Sequence, residues 1–303
     1  MDVDVFGLLK QVDMLYSYAK LSEHDLGFVR ILGRGLGNLL FPWARSVVIS
    51  EKHKLKPIAP TWLQIKIGPI LRSEPDLRLY GDLFYTPKES IHGFQRLFLL
   101  ATKKKINEDF LPTSELKDGI FVFCGFKNYF KDISKNHNLI WRELLKITKD
   151  IHKTGLNYDF TNCVSMHIRR SDFKLQKWDT SIEWFLWIMD ELRRKIGPGL
   201  NFKIFSDGSD EELSLILKQK NTEKLFFGSA LADLLALSRS RVLVGSANST
   251  FSMWASYLGR MPTIWPEKGL FQILHYEHPN NETEVSLGGD LLETFIANCR
   301  KNI

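Results

Sequence analysis

The chain has 303 residues, of which 44% are hydrophobic, 25% charged and 12% aromatic. At roughly 150 residues per domain, this length predicts about two domains with cores of their own. No apolar run approaches the roughly 18 residues of a membrane-spanning helix, which excludes a typical transmembrane protein. A formal net charge of +6 favours an anionic partner such as a phosphorylated ligand, a nucleic acid or a membrane surface.

The first 27 residues predict an amphipathic helix. The apolar side chains that share one face at helical spacing are Val5, Leu8, Leu9, Val12, Tyr16 and Ala19. The polar face lacks an excess of lysine and arginine, which favours packing on the protein or a partner subunit over membrane binding. The start of the chain is acidic where a secretory signal would be basic, so we expect a cytoplasmic protein.

Residues 28–156 alternate between short strands and helices and predict a first α/β domain. A strand at 28–32 is followed by a glycine-rich turn at 33–37 and a helix at 38–51. The other predicted elements of this part are strands at 77–80 and 120–124 and helices at 89–105 and 139–153.

A second α/β series occupies residues 157–265 and begins with a linker rich in turn-forming residues, 157–162. Its predicted strands are 163–168, 201–205, 225–227, 241–245 and 263–265, and its predicted helices are 181–195, 209–219, 231–238 and 249–258. This alternation predicts a parallel sheet that is covered on both faces. In the remaining segment, 266–303, we expect a helix at 291–299 that packs back on the first domain.

The loops that follow strands are the first candidates for a site, because open α/β sheets bind ligands beyond the carboxyl ends of their strands. One such loop contains Gly33, Gly35 and Gly37 and leads into Asn38 and a helix. Glycines allow close backbone approach, and the helix offers free N–H groups to an anion. The loop has neither the third glycine of a dinucleotide fingerprint nor a P-loop lysine, so a tight structural turn stays open as the alternative.

A second candidate is the end of the predicted strand 163–168. His167 and Arg169 share one face of that strand and project together at the edge of the sheet. An arginine in such a place needs either a carboxylate, for which Asp172 is available, or a phosphate that fits its planar guanidinium group. A structural pair of Arg170 with Asp172 is compatible with phosphate binding by Arg169.

Two further candidates follow strands of the second series. Ser246, Asn248, Ser249 and Thr250 precede a helix, and helix capping explains only one of these four polar residues. The excess favours a bound phosphate. Asp207 also follows a strand and could accept two N–H groups of a guanine edge or bind a sugar diol, although an isolated Asp-Gly pair is equally typical of a plain turn.

Three segments, in this order, resemble the α-1,2-fucosyltransferase family: Gly35-Leu36-Gly37-Asn38, His167-Ile168-Arg169-Arg170-Ser171-Asp172 and Asn248-Ser249-Thr250-Phe251. The resemblance implies the GT-B fold, an α/β architecture in which two Rossmann-like domains face a cleft. The domain at 28–156 would serve the acceptor, and the domain at 157–265 would bind the donor. The same resemblance implies transfer of fucose from GDP-fucose with inversion at the anomeric carbon, without a metal or any other cofactor.

The resemblance also implies roles for individual residues. Arg169 would contact the β-phosphate and meet the charge that develops on departing GDP, which makes it a catalytic residue together with Asp172. The general base stays open among Asp172, Asp179 and Glu183. The residues expected to bind the donor are Gly35, Gly37, Asn38, His167, Arg169, Arg170, Asp207, Ser246, Asn248, Ser249 and Thr250.

The expected function is therefore an inverting α-1,2-fucosyltransferase of surface polysaccharide synthesis. Its partners would be a nucleotide-sugar donor, an oligosaccharide or lipid-linked glycan acceptor, and the anionic inner face of the cell membrane, toward which the positive charge would draw it. A transferase with another nucleotide-sugar donor and a non-catalytic nucleotide-sugar-binding protein are the alternatives. Nucleic-acid binding is disfavoured, because the arginines cluster after a strand and form no basic stripe.

Overall fold

The computed structural model describes residues 14–66, 78–110, 117–170, 173, 178–270, 272, 274, 278 and 281–303. Within these residues the chain forms a four-stranded sheet, a six-stranded sheet and a separate two-stranded ladder. All the strand pairs are parallel. Parallel neighbours need crossover connections, and the helices between the strands supply most of them.

The first half of the chain forms the four-stranded sheet, in the order β3-β1-β6-β5. Its strands and those of the separate ladder are β1 (Leu15–Lys20), β2 (Arg30–Ile31), β3 (Lys56–Ile58), β4 (Gln64–Ile65), β5 (Lys105–Asn107) and β6 (Gly119–Cys124). The helices are α1 (Leu36–His53), α2 (Gly93–Thr102) and α3 (His137–Ile147). The helix predicted at 38–51 and the strand predicted at 120–124 are confirmed.

The prediction of one helix over residues 1–27 is wrong where the structure describes the chain. Residues 15–20 form β1, a central strand, whereas residues 1–13 lie outside the described part. Tyr16 and Tyr18 pack with Ile58 on one face of the sheet, and Ala19 belongs to a different core cluster. Both faces of the strand are covered, so residues 16–19 are all buried, and the apolar spacing alone did not distinguish this strand from a helix.

Two predicted strands and one predicted helix of the first half also differ from the structure. The strand predicted at 28–32 shrinks to β2, which pairs with β4 outside the main sheet. Residues 78–80 form no strand, and residue 77 lies outside the described part. The helix predicted at 89–105 ends at Thr102, and its last predicted residue begins β5. These segments are held by long-range contacts, which local periodicity does not report.

The second half forms the six-stranded sheet, in the order β12-β11-β10-β7-β8-β9. Its strands are β7 (Cys163–Ile168), β8 (Asn201–Ser206), β9 (Thr222–Lys224), β10 (Val242–Val244), β11 (Thr263–Pro266) and β12 (Glu282–Val285). The helices are α4 (Ile182–Lys195), α5 (Ser214–Leu217), α6 (Ala230–Leu237), α7 (Thr250–Gly259) and α8 (Glu293–Asn302).

Most predicted elements of this half are confirmed, and β7 coincides with its prediction, with all six residues buried. Two predictions fail. The helix expected at 209–219 is reduced to the short α5, and the strand expected at 225–227 lies at 222–224 instead. Both errors fall at the edge of the sheet, where fewer apolar contacts mark the ends of an element.

The strand order places a topological switch point in each sheet. In the second sheet, β7, β8 and β9 run to one side, and the chain then returns to place β10 on the other side of β7. In the first sheet, β3 lies on one side of β1 and β6 on the other. Ligands of open α/β sheets bind at the carboxyl ends of the strands at such points, so two candidate edges exist.

One hydrophobic core joins the two sheets through α1, α3, α6 and α7. The ring of Phe41 in α1 lies 5.1 Å from that of Trp254 in α7, and Phe130 lies 4.9 Å from the same tryptophan. Large hydrophobic contacts between two such units restrict their relative motion. The core therefore holds the two sheets in a defined relation and brings α1 and α7 side by side.

The last helix was predicted to pack back on the first half of the chain. Its described contacts are instead with the second half. Phe295, Ile296 and Cys299 of α8 lie in the core cluster of the second sheet, together with Leu192 of α4. An apolar face shows that a terminal helix packs on the protein, but it does not show which part of the protein the helix packs on.

Among the described residues, none of the helices is both long and apolar enough to cross a membrane.

Candidate functional site

The candidate site lies at the carboxyl edge of the second sheet. β7 is flanked by β10 and β8, so the loops that follow these three strands meet at one edge. They carry Arg169 after β7, Asp207 after β8 and Ser249 after β10. Three residues that are far apart in the sequence, and that were all expected to bind the donor, are thereby brought together at a switch point of the sheet.

Asp207 is the centre of a charge network. Its Oδ1 accepts a hydrogen bond from the backbone N–H of Arg170 at 2.8 Å, and its Oδ2 lies 2.5 Å from Nη1 of Arg169. The side chains of Arg169 and Asp207 are 19% and 21% exposed, so the pair lies partly exposed at this edge of the sheet. Asp207, which was expected to face guanine, thus pairs with Arg169, which was expected to contact the β-phosphate.

Arg170 has a different carboxylate partner. Its Nη1 donates to Oδ2 of Asp179 at 2.6 Å, and its side chain is nearly buried. Gly208 leaves room for it, because a Cβ at that position would lie 2.8 Å from Cγ of Arg170. Asp172, predicted as the partner of Arg170 and as a catalytic residue, lies outside the described residues. Arg170 thus has a structural pair, and Arg169 is the more exposed of the two arginines.

His167 is a buried, neutral histidine. Its Nδ1 is 2.6 Å from Oγ of Ser252, and its ring centre lies 4.9 Å from that of Phe251. Burial lowers the pKa of His167 to about 3, with Arg169 acting in the same direction and Asp207 against it. A neutral ring at physiological pH cannot contribute charge to an anion, so its contacts position the start of α7.

Ser246 and Ser252 connect the end of β7 to the loop after β10. The hydroxyl of Ser246 donates to the carbonyl of His167 at 2.7 Å and accepts from the backbone N–H of Arg169 at 2.8 Å. Oγ of Ser252 accepts from the backbone N–H of Ser246 at 3.3 Å. These bonds hold the backbone on which Arg169 stands, so Ser246 positions the site from within the fold.

The N-terminus of α7 borders the same edge. Ser249 is its N-cap, and Oγ of that residue accepts from the backbone N–H of Ser252 at 3.3 Å. Asn248 adopts a left-handed conformation with φ of 55°, which asparagine tolerates better than most residues. Oγ1 of Thr250 donates to Oδ1 of Asn38 at 2.7 Å, which ties α7 to the start of α1.

The glycine-rich loop brings the N-terminus of α1 to the same place. A Cβ on Gly37 would lie 2.9 Å from the backbone nitrogen of Phe251, so only glycine permits this approach of α1 to α7. A Cβ on Gly35 would meet no atom within 4 Å. Gly37 therefore has a packing role, whereas Gly35 borders open space. The N-termini of α1 and α7, each with a field that favours anions, therefore lie next to each other.

The sequence analysis missed two residues that the first half contributes. Nη2 of Arg78 lies 3.9 Å from Oδ2 of Asp207, and Oη of Tyr80 accepts from the backbone N–H of Leu36 at 3.1 Å. Both residues had been assigned to a strand that does not form. No local pattern signals these contacts, because the partners are distant in the sequence.

Thr180 and Asp179 were also not recognised as structural parts of the site. Oγ1 of Thr180 accepts from the backbone N–H of Ala247 at 2.9 Å. Asp179 had been considered only as a general base, whereas its carboxylate pairs with Arg170. The sequence signal that could have identified Asp179 and Thr180 was their closeness to Arg169 and Arg170 along the chain.

Among the described residues, no group of three or more His, Cys, Asp or Glu side chains is placed to hold a metal ion.

The two parallel sheets, with helices between their strands, match the GT-B class of fold, in which two Rossmann-like domains face a cleft. No protein-family profile and no curated protein matched the sequence. Among solved structures, a mutant of Arabidopsis thaliana FUT1 in complex with GDP is similar, with a TM-score of 0.51 and 11% identity. The similarity covers 86% of this chain and 72% of that one.

Two further solved structures are similar with lower TM-scores. NodZ α-1,6-fucosyltransferase soaked with GDP-fucose gives a TM-score of 0.49 at 11% identity, over 81% of this chain and 92% of that one. POFUT1 in complex with GDP gives 0.46 at 12% identity, over 84% of this chain and 98% of that one. At such low identity, the likeness to the plant protein shows the fold and leaves the activity to be argued from the site.

Proposed function

We propose that this protein is a glycosyltransferase that moves fucose from GDP-fucose to a hydroxyl group of a glycan, with inversion at the anomeric carbon. The observation that carries the proposal is the position of Arg169. Its partly exposed guanidinium group lies at the carboxyl end of β7, on a backbone that Ser246 ties to the loop ahead of α7. The fold and the three sequence segments that resemble α-1,2-fucosyltransferases support the same assignment.

The proposed chemistry depends on charge. When the bond between the sugar and the β-phosphate breaks, negative charge accumulates on the leaving GDP. A preorganised guanidinium group and helix N-terminal N–H groups stabilise such charge without reorganising during the reaction. Arg169 and the N-terminus of α7 supply these two features, and we assign the β-phosphate to them.

The ion pair between Arg169 and Asp207 is compatible with this role. A guanidinium group has five N–H donors in a planar fork and can bind a carboxylate on one side and a phosphate on another. The carboxylate orients the arginine before the donor arrives. Asp207 is then a positioning residue for Arg169, in addition to or in place of a contact with guanine.

The proposal extends to the acceptor side. Of the three candidate bases, Asp179 pairs with Arg170, which leaves Asp172 and the exposed Glu183 as candidates for the acceptor proton. We further propose an α-1,2 linkage to an oligosaccharide or lipid-linked glycan in surface polysaccharide synthesis, at the inner face of the cell membrane.

Thermal unfolding with different nucleotides tests the donor assignment. We expect GDP to raise the melting temperature in the presence of a chelator, and UDP and ADP to have much smaller effects. At a GDP concentration 100-fold above Kd, the free energy of unfolding should rise by about 2.7 kcal/mol. Incubation with GDP-fucose should then release GDP, and acceptor glycans should accelerate the release.

A response to UDP alone would favour the alternative donor, and GDP binding that a chelator abolishes would contradict the metal-independent site. Binding of GDP-fucose without release of GDP or transfer to any glycan in a broad panel would favour a non-catalytic nucleotide-sugar-binding protein. Arg169→Lys provides the matched comparison, because it retains the charge and loses the planar fork.

A further inference from the structure

The two-stranded ladder of the first half has polar side chains on its inner face and apolar side chains on its outer face. In the parallel register of β2 and β4, Arg30 lies opposite Gln64 and Ile31 lies opposite Ile65, and successive residues point to opposite faces. Arg30 and Gln64 are fully buried, whereas Ile31 and Ile65 are 47% and 53% exposed. This pattern is the reverse of the usual one, in which the apolar face of a ladder lies inside.

Hydrogen bonds fix the inner face of the ladder. Nε and Nη2 of Arg30 donate to the carbonyls of Thr61 and Trp62 at 2.6 and 2.9 Å, and the side chain of Gln64 donates to a backbone carbonyl at 2.8 Å. Buried polar groups without such partners would cost free energy. The ladder cannot turn its apolar face inward without breaking these bonds, so the fold itself keeps that face exposed.

The helix α2 is also apolar on its outward side. Phe94 and Phe98 lie one helical turn apart, and Phe94 is 91% exposed and Phe98 51% exposed. Leu99, on the opposite side of the helix, packs in a core cluster of the first sheet. A helix with apolar side chains on both sides is normally buried on both, so the outward side of α2 lacks a covering element.

Gly27 connects α2 to the ladder. A Cβ at that position would lie 2.5 Å from Cδ2 of Leu97, so the two segments are in contact. The backbone N–H of Ile31 donates to the carbonyl of His24 at 3.1 Å, which keeps this segment beside β2. Contiguous exposed apolar residues mark interaction sites more often than scattered ones do. The residues that we group as the apolar surface are Leu26, Phe28, Ile31, Ile65, Phe94 and Phe98.

Positive charge lies beside the apolar surface. Lys104 and Lys105 follow the end of α2 and are exposed, and no carboxylate in the described part of the chain forms an ion pair with them. Lys103, in contrast, is buried and pairs with Asp118 at 2.7 Å. The two exposed lysines are therefore available to an anionic partner, as the net charge of +6 also favours.

Two carboxylates near the apolar surface have partners within the protein. Glu23 pairs with Lys20 at 2.9 Å. Asp25 accepts from the hydroxyl of Tyr18 at 2.5 Å and from the backbone N–H of Gly27 at 2.9 Å. Lys20 balances the charge of Glu23, and Asp25 is directed to groups of its own segment and of β1, so both are compatible with an anionic partner nearby.

We propose that the apolar surface binds the interface of a membrane that contains anionic phospholipids. Its phenylalanine and isoleucine side chains would enter the boundary between headgroups and acyl chains, and Lys104 and Lys105 would lie at the headgroups. This inference rests on the proposed function, in which the acceptor is a lipid-linked glycan. Leu32 leads from the ladder into the glycine-rich loop, so a glycan on a membrane lipid would be presented beside the donor site.

A second copy of the chain is a less suitable occupant. In a two-fold dimer the same surface lies on both subunits, so the exposed lysines of both copies would be brought to one interface. Like charges that face each other across an interface oppose association. Anionic headgroups, in contrast, complement Lys104 and Lys105.

The test measures the partition of the full-length protein onto vesicles by sedimentation. We expect binding to vesicles of phosphatidylcholine and phosphatidylglycerol in equal parts, and roughly 10- to 30-fold weaker binding to phosphatidylcholine alone, as two lysines near an anionic surface predict. Lys104→Gln/Lys105→Gln should remove most of this preference.

Two variants examine the two parts of the apolar surface separately. Phe94→Ser/Phe98→Ser should weaken binding to the mixed vesicles on the order of 10- to 100-fold, because the apolar area that enters the membrane is lost. Ile31→Thr/Ile65→Thr should weaken it on the order of 10-fold, and threonine keeps the β-branched shape that suits a strand. Melting temperatures of the variants show that each one is folded.

Phe226→Ser/Leu287→Ser is the matched control, because both residues are exposed apolar residues of the second half. Its binding to the mixed vesicles should stay within about twofold of the wild type, since singly exposed apolar residues are ordinary. A loss equal to that of Phe94→Ser/Phe98→Ser would overturn the proposal, because it would show adsorption through any exposed apolar residue.

The remaining outcomes separate this inference from the proposed function. Absence of wild-type binding to both kinds of vesicle, with intact GDP binding, would overturn the membrane surface and leave the donor site. Self-association of the wild type that Phe94→Ser/Phe98→Ser abolishes, without vesicle binding, would overturn it in favour of a second copy. Vesicle binding by a protein that binds no GDP would contradict the proposed function and leave the lipid contact in place.

Discussion

Each sheet has an arginine at its carboxyl edge, and the two arginines are held in different ways. Arg45 of α1 donates to both oxygens of Glu108 at 2.8 and 3.0 Å and to the carbonyls of Cys124 and Phe126 at 2.8 and 3.2 Å. Its side chain is 3% exposed. Arg169, in contrast, is 19% exposed and pairs with a carboxylate that a second arginine also approaches.

The comparison shows that an arginine at a switch point does not by itself identify a ligand site. At the first sheet, the guanidinium group closes the edge by binding the carbonyls at the end of β6. At the second sheet, serine hydroxyls and a buried histidine make the contacts at the strand ends, and the side chain of Arg169 stays partly exposed. The exposure of the guanidinium group, 3% for Arg45 and 19% for Arg169, is what distinguishes the two edges, and the binding role that we propose for Arg169 depends on that difference.

Replacement of Arg45 should produce the largest loss of stability. Arg45→Met leaves Glu108 buried, with Lys127 3.9 Å away as its remaining described cation. Breaking a buried ion pair from one side costs about 3–5 kcal/mol of unfolding free energy, which urea denaturation would measure. At temperatures where the variant is folded, its GDP affinity should equal that of the wild type. A selective loss of GDP binding in the folded variant would remove the distinction between the two edges.

Replacement of Arg169 should lower activity and leave stability nearly unchanged. Arg169→Lys should lower kcat for GDP-fucose turnover on the order of 100-fold or more, because a point charge does not reproduce the planar fork at the developing charge. Steady-state kinetics and a melting curve on the same preparation would measure both properties. An active Arg169→Lys enzyme would contradict the electrostatic role.

Arg170→Lys is the control for that experiment. Arg170 is nearly buried and pairs with Asp179, so its replacement should lower stability more than the replacement of Arg169 does. Equal losses of stability in the two variants would show that the neighbouring arginines are not divided between structure and binding.

His167 should make the second edge sensitive to acid. Burial lowers its pKa from 6.5 to about 3, so the unfolded chain takes up a proton below pH 6.5 that the folded protein does not. Stability is complete above that pH and is lost as the pH falls toward 3. Between pH 8 and pH 5, this one group should lower the free energy of unfolding by about 2 kcal/mol.

His167→Gln isolates this contribution, because the other titrating groups are common to both proteins. The loss between pH 8 and pH 5 should be about 2 kcal/mol smaller in the variant, as measured by denaturation at each pH. Parallel pH profiles of the two proteins would refute a buried neutral histidine.

The smallest expected effect compares the two helix N-termini at the cleft. Ser249 caps α7 with its side chain, whereas Gly35 at the start of α1 provides no side-chain cap. Ser249→Ala should cost about 1 kcal/mol of stability, and Gly35→Ser should change it by a few tenths. If these hydroxyl and glycine positions also bind the donor, Ser249→Ala and Gly35→Ser should each weaken GDP binding more than they change stability.

The sequence by itself determined those parts that depend on local patterns. β7 and the N-terminus of α7 follow from a short apolar run and from Ser249 ahead of an apolar helix, so both were located within a residue. The loops that border the cleft were identified for the same reason, because they follow predictable strands. Gly37 was recognised as a position that needs close approach, although its partner in α7 was not.

Only the tertiary structure decided the features that depend on distant contacts. Residues 15–20 form a strand because both of their faces are covered by other elements, and α8 packs on the second sheet because its apolar face fits that core. The contacts of Arg78 with Asp207 and of Arg170 with Asp179 likewise depend on where the backbone places each charge. The sequence shows that a buried charged side chain needs a partner of opposite charge. Only the fold decides which carboxylate lies close enough to be that partner.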